Sequence, residues 1–593
     1  MNSSLKPACE PARAGLGITI LVLLAGLLTL LYGSLAALSF RFAPDVPVTE
    51  RPILAALGIL AAAFVAYILA IIVALQTKAD RVLLVIIIAA SILFRVVSVY
   101  SWPILEIDIY RYLWDGNVVA QGVSPYRYSP EQVLQATSHR NIPDDLKRLV
   151  QLRKDSSINT ILTRVHYAHL PTIYPPVSQA AFAAVAYLTP NRAGVFERIM
   201  LMKLPFVVFD LTTLVIISTL LRLSRKHIGW SASYGWCPLV IKEIANTGHL
   251  DSLAVFLTVL ALFFAVRLLR NFTSVGRSRI HTLLSAVLLA LAVGAKFYPV
   301  VLAPMVAALW MKAIGWRWAS AATLTFVMIT TAVLWPMIPW KAQPSSTDCE
   351  VINAKAESVF PAVPSDTMTT PQDPSTGLTA FLGHWEINDF LFMLVIENLK
   401  PTMDGAPEYR PWFSIVPHCW RAELVAATSR WFLLDPSRTP FLLARLITVV
   451  CFLAILTGLL HRVRLSEQPA DWLQVAFLLL AWFWLLSPTQ NPWYWTWAIP
   501  LVMFARSKAW LAIGGLAMVY YLRFWLMNQF PNQHVLSTPY TGAMFFDFVV
   551  TWFEYAPWFV WLMLETAWSR PLHREDDRSS QFSILPERKD LFS

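Results

Sequence analysis

Apolar residues recur along this chain in long blocks separated by short polar joints. The blocks fall near residues 16–39, 52–75, 82–100, 199–221, 230–247, 250–267, 281–295, 297–311, 319–340, 441–460, 472–487, 493–505, 509–527 and 544–566. A helix rises 1.5 Å per residue, so roughly 20 apolar residues cross the ~30 Å hydrocarbon core of a bilayer. A closed barrel would alternate polar and apolar positions, and these blocks do not, so the spans are helices. The pattern predicts an all-α polytopic membrane protein with about thirteen or fourteen transmembrane helices. The first block follows a polar start and has no small-residue cleavage pattern after it, so it reads as a retained span.

Composition agrees. Of 593 residues, 56% are hydrophobic and 14% charged. An ordinary soluble domain carries about 25% charged residues. Lys78 and Arg81, Arg222, Arg225 and Lys226, Arg267 to Arg279, Lys312 and Arg317, Arg462 and Arg464, and Arg506 and Lys508 all lie in short joints. The positive-inside rule makes those joints cytoplasmic, with both termini, in an inner or plasma membrane. The net charge of +10 is then mostly topological. It forms no continuous patch, which excludes a nucleic-acid partner. The charges close consistently if segment 174–190 is re-entrant or interfacial, entered through Pro175 and Pro176; the alternative is that it spans and a short block does not.

This topology divides the chain into N-terminal spans (1–100), a first extracytoplasmic loop (101–173), central spans (174–340), a second extracytoplasmic loop or lobe (341–440), C-terminal spans (441–567) and a cytoplasmic tail (568–593). Cys349 and Cys419 lie in the second loop, where an oxidising compartment permits a disulfide; two free thiols are the other reading.

Polar residues next to a bilayer are costly and usually functional. They survive in a few stretches, all on the predicted outer face. EIDIYRYLWDG places Glu106 and Asp108 just beyond the third span, followed by Arg111, Tyr112, Trp114 and Asp115. Two carboxylates there suit a general base or a divalent ion such as Mg or Mn; an interfacial amphipathic helix is the bland alternative. Arg111 and Arg127 suit a phosphate or a charge partner. Asp115 reads as a cap or a surface charge. Tyr174 and Gln179 flank the proline pair, and His249 and Asp251 open the span at 250, where a cap is the simpler reading of the Asp. Lys296 stands with Tyr298 between two short spans, as a snorkelling cation or a charge for a phosphate. SPTQNPWYW brings Gln490, Asn491, Trp493 and Tyr494 together, either as belt anchors or as faces for a sugar ring.

The stretches DIYRYLWDG with GVSPY, IYPPVSQ, CPLVIKEIANTGHLD, KFYP and SPTQNPWYW, in this order over residues 106 to 497, resemble the C-type (GT-C) glycosyltransferase superfamily. The closest likeness is to bacterial polyprenyl-phosphate-mannose-dependent mannosyltransferases. The resemblance implies an enzyme with two long extracytoplasmic loops that moves mannose or a similar sugar from a polyprenyl-phosphate donor to a lipid, glycan or protein acceptor. It implies Asp108 as catalytic base, Glu106 as the second choice, and Lys296, Arg111 and Tyr298 at the donor phosphate. Tyr112, Trp114, Tyr174, Gln179, His249, Asp251, Gln490, Asn491, Trp493 and Tyr494 would line the substrate site. Two spans precede the loop that the superfamily usually carries directly after its first, so the N-terminal helices look like an addition. A lipid-linked sugar flippase, or an oligosaccharide polymerase or ligase, are the competing functions.

Overall fold

The computed structural model describes residues 9–568 apart from 79, 137–141, 271–274, 339–376, 379–384 and 402–409. Among these residues there is no β-strand, and nine helices are long and apolar enough to cross a membrane. The protein is therefore an all-α polytopic membrane protein. Its spans include α1 (Cys9–Ser39), α2 (Ile53–Gln76) and α3 (Asp80–Val99). The short helix α4 (Ile109–Ala120) then leads the first long loop, and α5 (Pro176–Leu188) closes it. Next come α6 (Val195–Leu223), α7 (Asp251–Arg267), α8 (Val275–Ala295), α9 (Ala303–Ile314) and α10 (Trp316–Leu334). The C-terminal group is α11 (Thr439–Val463), α12 (Pro469–Leu486), α13 (Ala509–Gln529) and α14 (Thr551–Trp568).

Of the expected thirteen or fourteen spans, nine are found among the described residues as helices long and apolar enough to cross a membrane, and two of the blocks take another form for a physical reason. Blocks 230–247 and 493–505 are apolar, yet each folds as a run of short helical pieces, interrupted at Pro238 in the first and Pro500 in the second. Proline cannot continue a helical hydrogen-bond ladder. Irregular backbone of this kind is tolerated at membrane depth only when protein surrounds it, and every residue from 231 to 255 is buried. The 13-residue α5 would reach only about 20 Å at 1.5 Å per residue, short of a bilayer core.

Buried charges fix this interior. Arg95 on α3 donates through Nε to Asp210 on α6 at 2.7 Å, and both side chains are essentially inaccessible. The same guanidinium donates to the carbonyls of Ser91 and Gly235, so one side chain ties two spans to the broken segment. Lys203 on α6 donates to the carbonyl of Ser101 at 2.6 Å. Asn246 accepts from the Ile104 amide at 3.1 Å and donates to the Ser101 hydroxyl at 2.7 Å and the Trp102 carbonyl at 2.8 Å. These bonds clamp residues 101–104 against the broken segment. The chain then turns through Leu105 in the left-handed region (φ 66°), a conformation that costs a non-glycine residue roughly 1–2 kcal/mol.

Of the two cysteines expected in the second loop, Cys349 lies outside the described residues, and Cys419 is exposed at the start of a helix, His418–Phe432.

Leaving one member of the Arg95–Asp210 pair alone should be worse than removing both. Asp210→Leu is expected to destabilise the protein by about 3–5 kcal/mol, and Arg95→Met combined with Asp210→Leu to recover most of that loss. Thermal melts of the two variants in detergent read the difference.

Candidate active site

Asp108 occupies the N-cap position of α4, immediately beyond the clamped segment, and its side chain makes no cap bond. Its side chain is 29% exposed, while His249 beside it is 1% exposed. Tyr174 donates its hydroxyl to Asp108 Oδ2 at 3.1 Å, and His249 Nε2 lies 4.0 Å from the same oxygen. The floor is aromatic: Tyr112 stacks on Phe182 with ring centroids 4.7 Å apart and meets Tyr174 edge-on at 5.0 Å. Burial holds the Tyr174 hydroxyl well above its usual titration range, with the Asp108 charge adding to the effect, so it remains a donor.

His249 is locked from behind. Its Nδ1 is 3.1 Å from Glu243 Oε2 and 2.9 Å from the Thr247 hydroxyl, and its ring stacks on Trp493 at 4.5 Å. Its Nε2 is buried with no hydrogen-bond partner among the described residues. Glu243 also faces Lys242 Nζ at 3.2 Å and accepts from the Tyr521 hydroxyl. With its proton on Nδ1, His249 donates to Glu243 Oε2, and in that tautomer the lone pair of Nε2 is turned toward Asp108. Lys242 and Glu243 come from a π-helical stretch, Ile241–Asn246, the kind of irregularity that collects at functional sites. Gly248 follows it with φ 77°, and a Cβ there would lie 2.7 Å from Ile109 Cδ1 and 2.9 Å from Lys203 Cγ. Only glycine lets the chain turn His249 onto Asp108.

Glu106 is nearly buried, and its Oε1 has no partner. Burial raises its pKa well above the carboxylate range; Lys242 opposes the shift, and Asp108 and Glu243 reinforce it. Glu106 is therefore suited to stay protonated while Asp108 beside it is open to solvent. Among the described residues no group of three or more His, Cys, Asp or Glu is placed to hold a metal ion, and the Glu106–Asp108 pair supplies only two carboxylates.

A second set of predicted residues meets alongside. Lys296 Nζ bridges both oxygens of Asp251, at 2.7 and 2.8 Å, and Trp497 Nε1 donates to Asp251 Oδ1 at 2.5 Å. The ammonium lies 4.5 Å from the Tyr494 ring, and Tyr298 stacks on Trp497 at 4.2 Å. The two sets adjoin through their rings: Trp493, stacked on His249, meets Tyr494 at 5.7 Å, and Tyr494 stacks on Trp497 at 4.4 Å.

Other predicted residues face elsewhere. Arg111 spends its fork on the carbonyls of His166, Tyr167 and Leu170, at 2.9–3.2 Å. Trp114 is core. Gln179 donates to Asp115 at 3.1 Å, which corrects the reading of Asp115 as a cap or surface charge: it is 2% exposed, and burial raises its pKa. Gln490 donates to the carbonyls of Leu485 and Ser487, and its backbone with that of Pro488 pairs with Ile387 of the second loop. Asn491 is buried beside it with Oδ1 unpartnered. Glu243, Lys242 and Tyr521 were missed. Adjacent opposite charges inside an otherwise apolar block were the available signal.

The family described as alpha-(1->6)-mannopyranosyltransferase, N-terminal domain, matches residues 13–312. The chain belongs to this family. Neither a curated protein nor a solved structure gives a match. The matched region contains Asp108, Tyr174, Glu243, His249, Asp251 and Lys296, so it holds every titratable group of the two sets except Tyr494 and Tyr521. It also includes α2 and all of α1 from residue 13 on, so these helices belong to the pattern of this family. This mannosyltransferase is thus a multi-pass membrane glycosyltransferase, acting on a sugar donor and an acceptor at a membrane.

Adding one methyl group at residue 248 is expected to separate His249 from Asp108. Gly248→Ala should lower the melting temperature by several degrees and turnover by about tenfold or more. Unchanged melting with unchanged turnover would show that the turn tolerates a side chain.

Proposed function

We propose that this enzyme transfers mannose from a polyprenyl-phosphate donor to a hydroxyl of a lipid, glycan or protein acceptor, at the extracytoplasmic face, with inversion and with Asp108 as general base. The observation that carries this reading is the contrast within the acidic cluster. Glu106 and Glu243 are closed off, the latter by ion pairing, whereas Asp108 keeps an open face and two oriented neighbours.

The acceptor hydroxyl gives its proton to the Asp108 carboxylate as its oxygen attacks the anomeric carbon. The carbon–oxygen bond to phosphate breaks on the opposite face, and the electron pair leaves with the polyprenyl phosphate. The transition state resembles an oxocarbenium ion, as in glycoside hydrolysis. His249, held by Glu243, steadies the proton arriving on Asp108 by offering Nε2 to it. The aromatic wall of Tyr494, Trp493 and Trp497 supplies faces for the sugar ring, anchored by the Lys296–Asp251 pair.

Two features support the donor and the face. The connections at 77–79, 224–227, 464–468 and 505–508 are each too short to form a nucleotide-binding domain. Asp108 follows the end of α3 opposite Lys78 and Arg81, which the positive-inside rule keeps cytoplasmic.

Asp108→Asn keeps the side-chain shape and removes its basicity, so turnover should fall about 10²-fold or more with the melting temperature preserved. Asp144→Asn, on the exposed loop surface, is the control and should cost little. Near-normal turnover in Asp108→Asn would remove the base from this loop. Purified protein should use polyprenyl-phosphate mannose and not a nucleotide sugar, and the anomeric configuration of the product, read by NMR, should be inverted. Efficient transfer from a nucleotide sugar would end the donor assignment.

A further inference from the structure

Surface helices usually turn their large apolar side chains inward. The helix His418–Phe432, in the second long loop, turns two polar side chains inward and its largest apolar ones outward. Its buried residues are Arg421, Val425 and Ser429, each a helical turn from the next. Arg421 donates through Nη1 to the carbonyls of Lys400 and Glu397, at 2.7 and 3.3 Å, and to the Ser414 hydroxyl at 3.2 Å. The Ser429 hydroxyl bonds that of Thr439 at 2.8 Å. At about 100° per residue, the rest of the surface divides in two. Trp420, Leu424, Ala427 and Trp431 form one stripe, in which the two tryptophans and the leucine are exposed. Cys419, Glu423, Ala426 and Arg430 form the other, and all four are exposed. The helix runs out through Trp431, Phe432 and Leu433, which are 85%, 69% and 92% exposed.

An outward apolar stripe that ends in three consecutive large apolar residues marks a surface that meets something apolar. Its position says what. Thr439, the partner of Ser429, is the first residue of α11, a 25-residue span. Leu442, Leu446, Val449 and Leu453 of α11 are exposed too, as the lipid side of a span must be. The last turn of the loop helix is thus bonded to the first turn of a membrane crossing, the depth at which tryptophan rings collect. The helix has 15 residues, about 22 Å, and carries Arg421, Glu423 and Arg430, so it is too short and too charged to cross. One face on protein, one apolar and one charged is the surface of a helix that lies in the plane of the interface.

We propose that the helix His418–Phe432 lies flat in the interface of the bilayer that α11 crosses, with Trp420, Leu424 and Trp431 among the lipid chains and Glu423 and Arg430 at the headgroups. Its partner is the lipid surface itself. That contact fixes more than the helix. Arg421 holds the chain at residues 397–400, and Lys400 Nζ meets Glu386 at 3.3 Å. Ile387, the next residue, pairs with the backbone of Pro488 and Gln490. Trp493, three residues on, is the ring stacked on His249. A run of bonds therefore leads from the lipid surface to the wall beside Asp108.

The test reads the depth of each face in the full chain. The five native cysteines are replaced by alanine, and Leu424→Cys, Ala427→Cys, Ala426→Cys and Arg430→Cys are introduced singly and spin-labelled in phosphatidylcholine liposomes. Collisions with oxygen, which concentrates in lipid, are compared with collisions with a water-soluble nickel chelate. The oxygen-to-chelate ratio should be several-fold higher at 424 and 427 than at 426 and 430, and Cys419 restored alone should side with the latter pair. High chelate access at all positions would put the helix in water and overturn the proposal. Low access to both reagents at 424 and 427 would mean that protein covers the stripe, and would overturn it equally. Spin–spin broadening between chains would then identify a second copy as the cover, and its absence a segment of the same chain. Wild-type protein gives a reading that needs no substitution. A lipid-borne diazirine, photolysed in the same liposomes, should insert into the peptide that carries residues 420–431. Insertion into α11 without insertion into that peptide would overturn the proposal, whatever the fate of the labelled variants.

Discussion

An ion inside a membrane protein survives only when it is paired or fully hydrogen-bonded, and the architecture of this enzyme is arranged around that constraint. The broken segment between α6 and α7 is where the pairs converge. Gly235 accepts from Arg95, Asn246 holds residues 101–104, and Lys242 and Glu243 neutralise one another. Remove that convergence and the third span would have no fixed exit, so the loop that begins at Leu105 would have no fixed start. Stability and the placing of Asp108 are thus set by the same few bonds.

The site follows from this by contrast. A carboxylate that is to accept a proton must be reachable, while its neighbours must not compete for the substrate. Burial raises the Glu106 pKa and ion pairing occupies Glu243, and these two devices leave Asp108 as the accessible member. His249 connects the closed part of the cluster to the open one, through one ring nitrogen on each side.

Much of this was legible in the sequence because it rests on local pattern. Apolar blocks give the spans, and the run from Glu106 to Trp114 reads as a loop after a span. His249 and Tyr174 were identifiable as polar groups at block edges, and the structure places both against Asp108. Partners were harder to read. Nothing in the sequence shows that Lys296 closes on Asp251, or that Arg111 is consumed by the turn at 166–170, because those pairings depend on tertiary approach. Glu243 was hidden for a different reason: an apolar background made block 230–247 look like a plain span, whereas Pro238 and the π-helical turn bend it into the interior.

The contact between Tyr521 and Glu243 joins residues 278 positions apart, and this distance has a consequence for biogenesis. At translation rates of about 5–20 residues per second, Glu243 leaves the ribosome roughly 15–55 s before its phenolic partner does. The segment carrying Lys242 and Glu243 must meanwhile enter the bilayer with its own ion pair as its chief protection. The adjacency of the two charges is therefore a provision for insertion as well as for the finished enzyme: each residue carries its counter-ion with it from the moment it is synthesised.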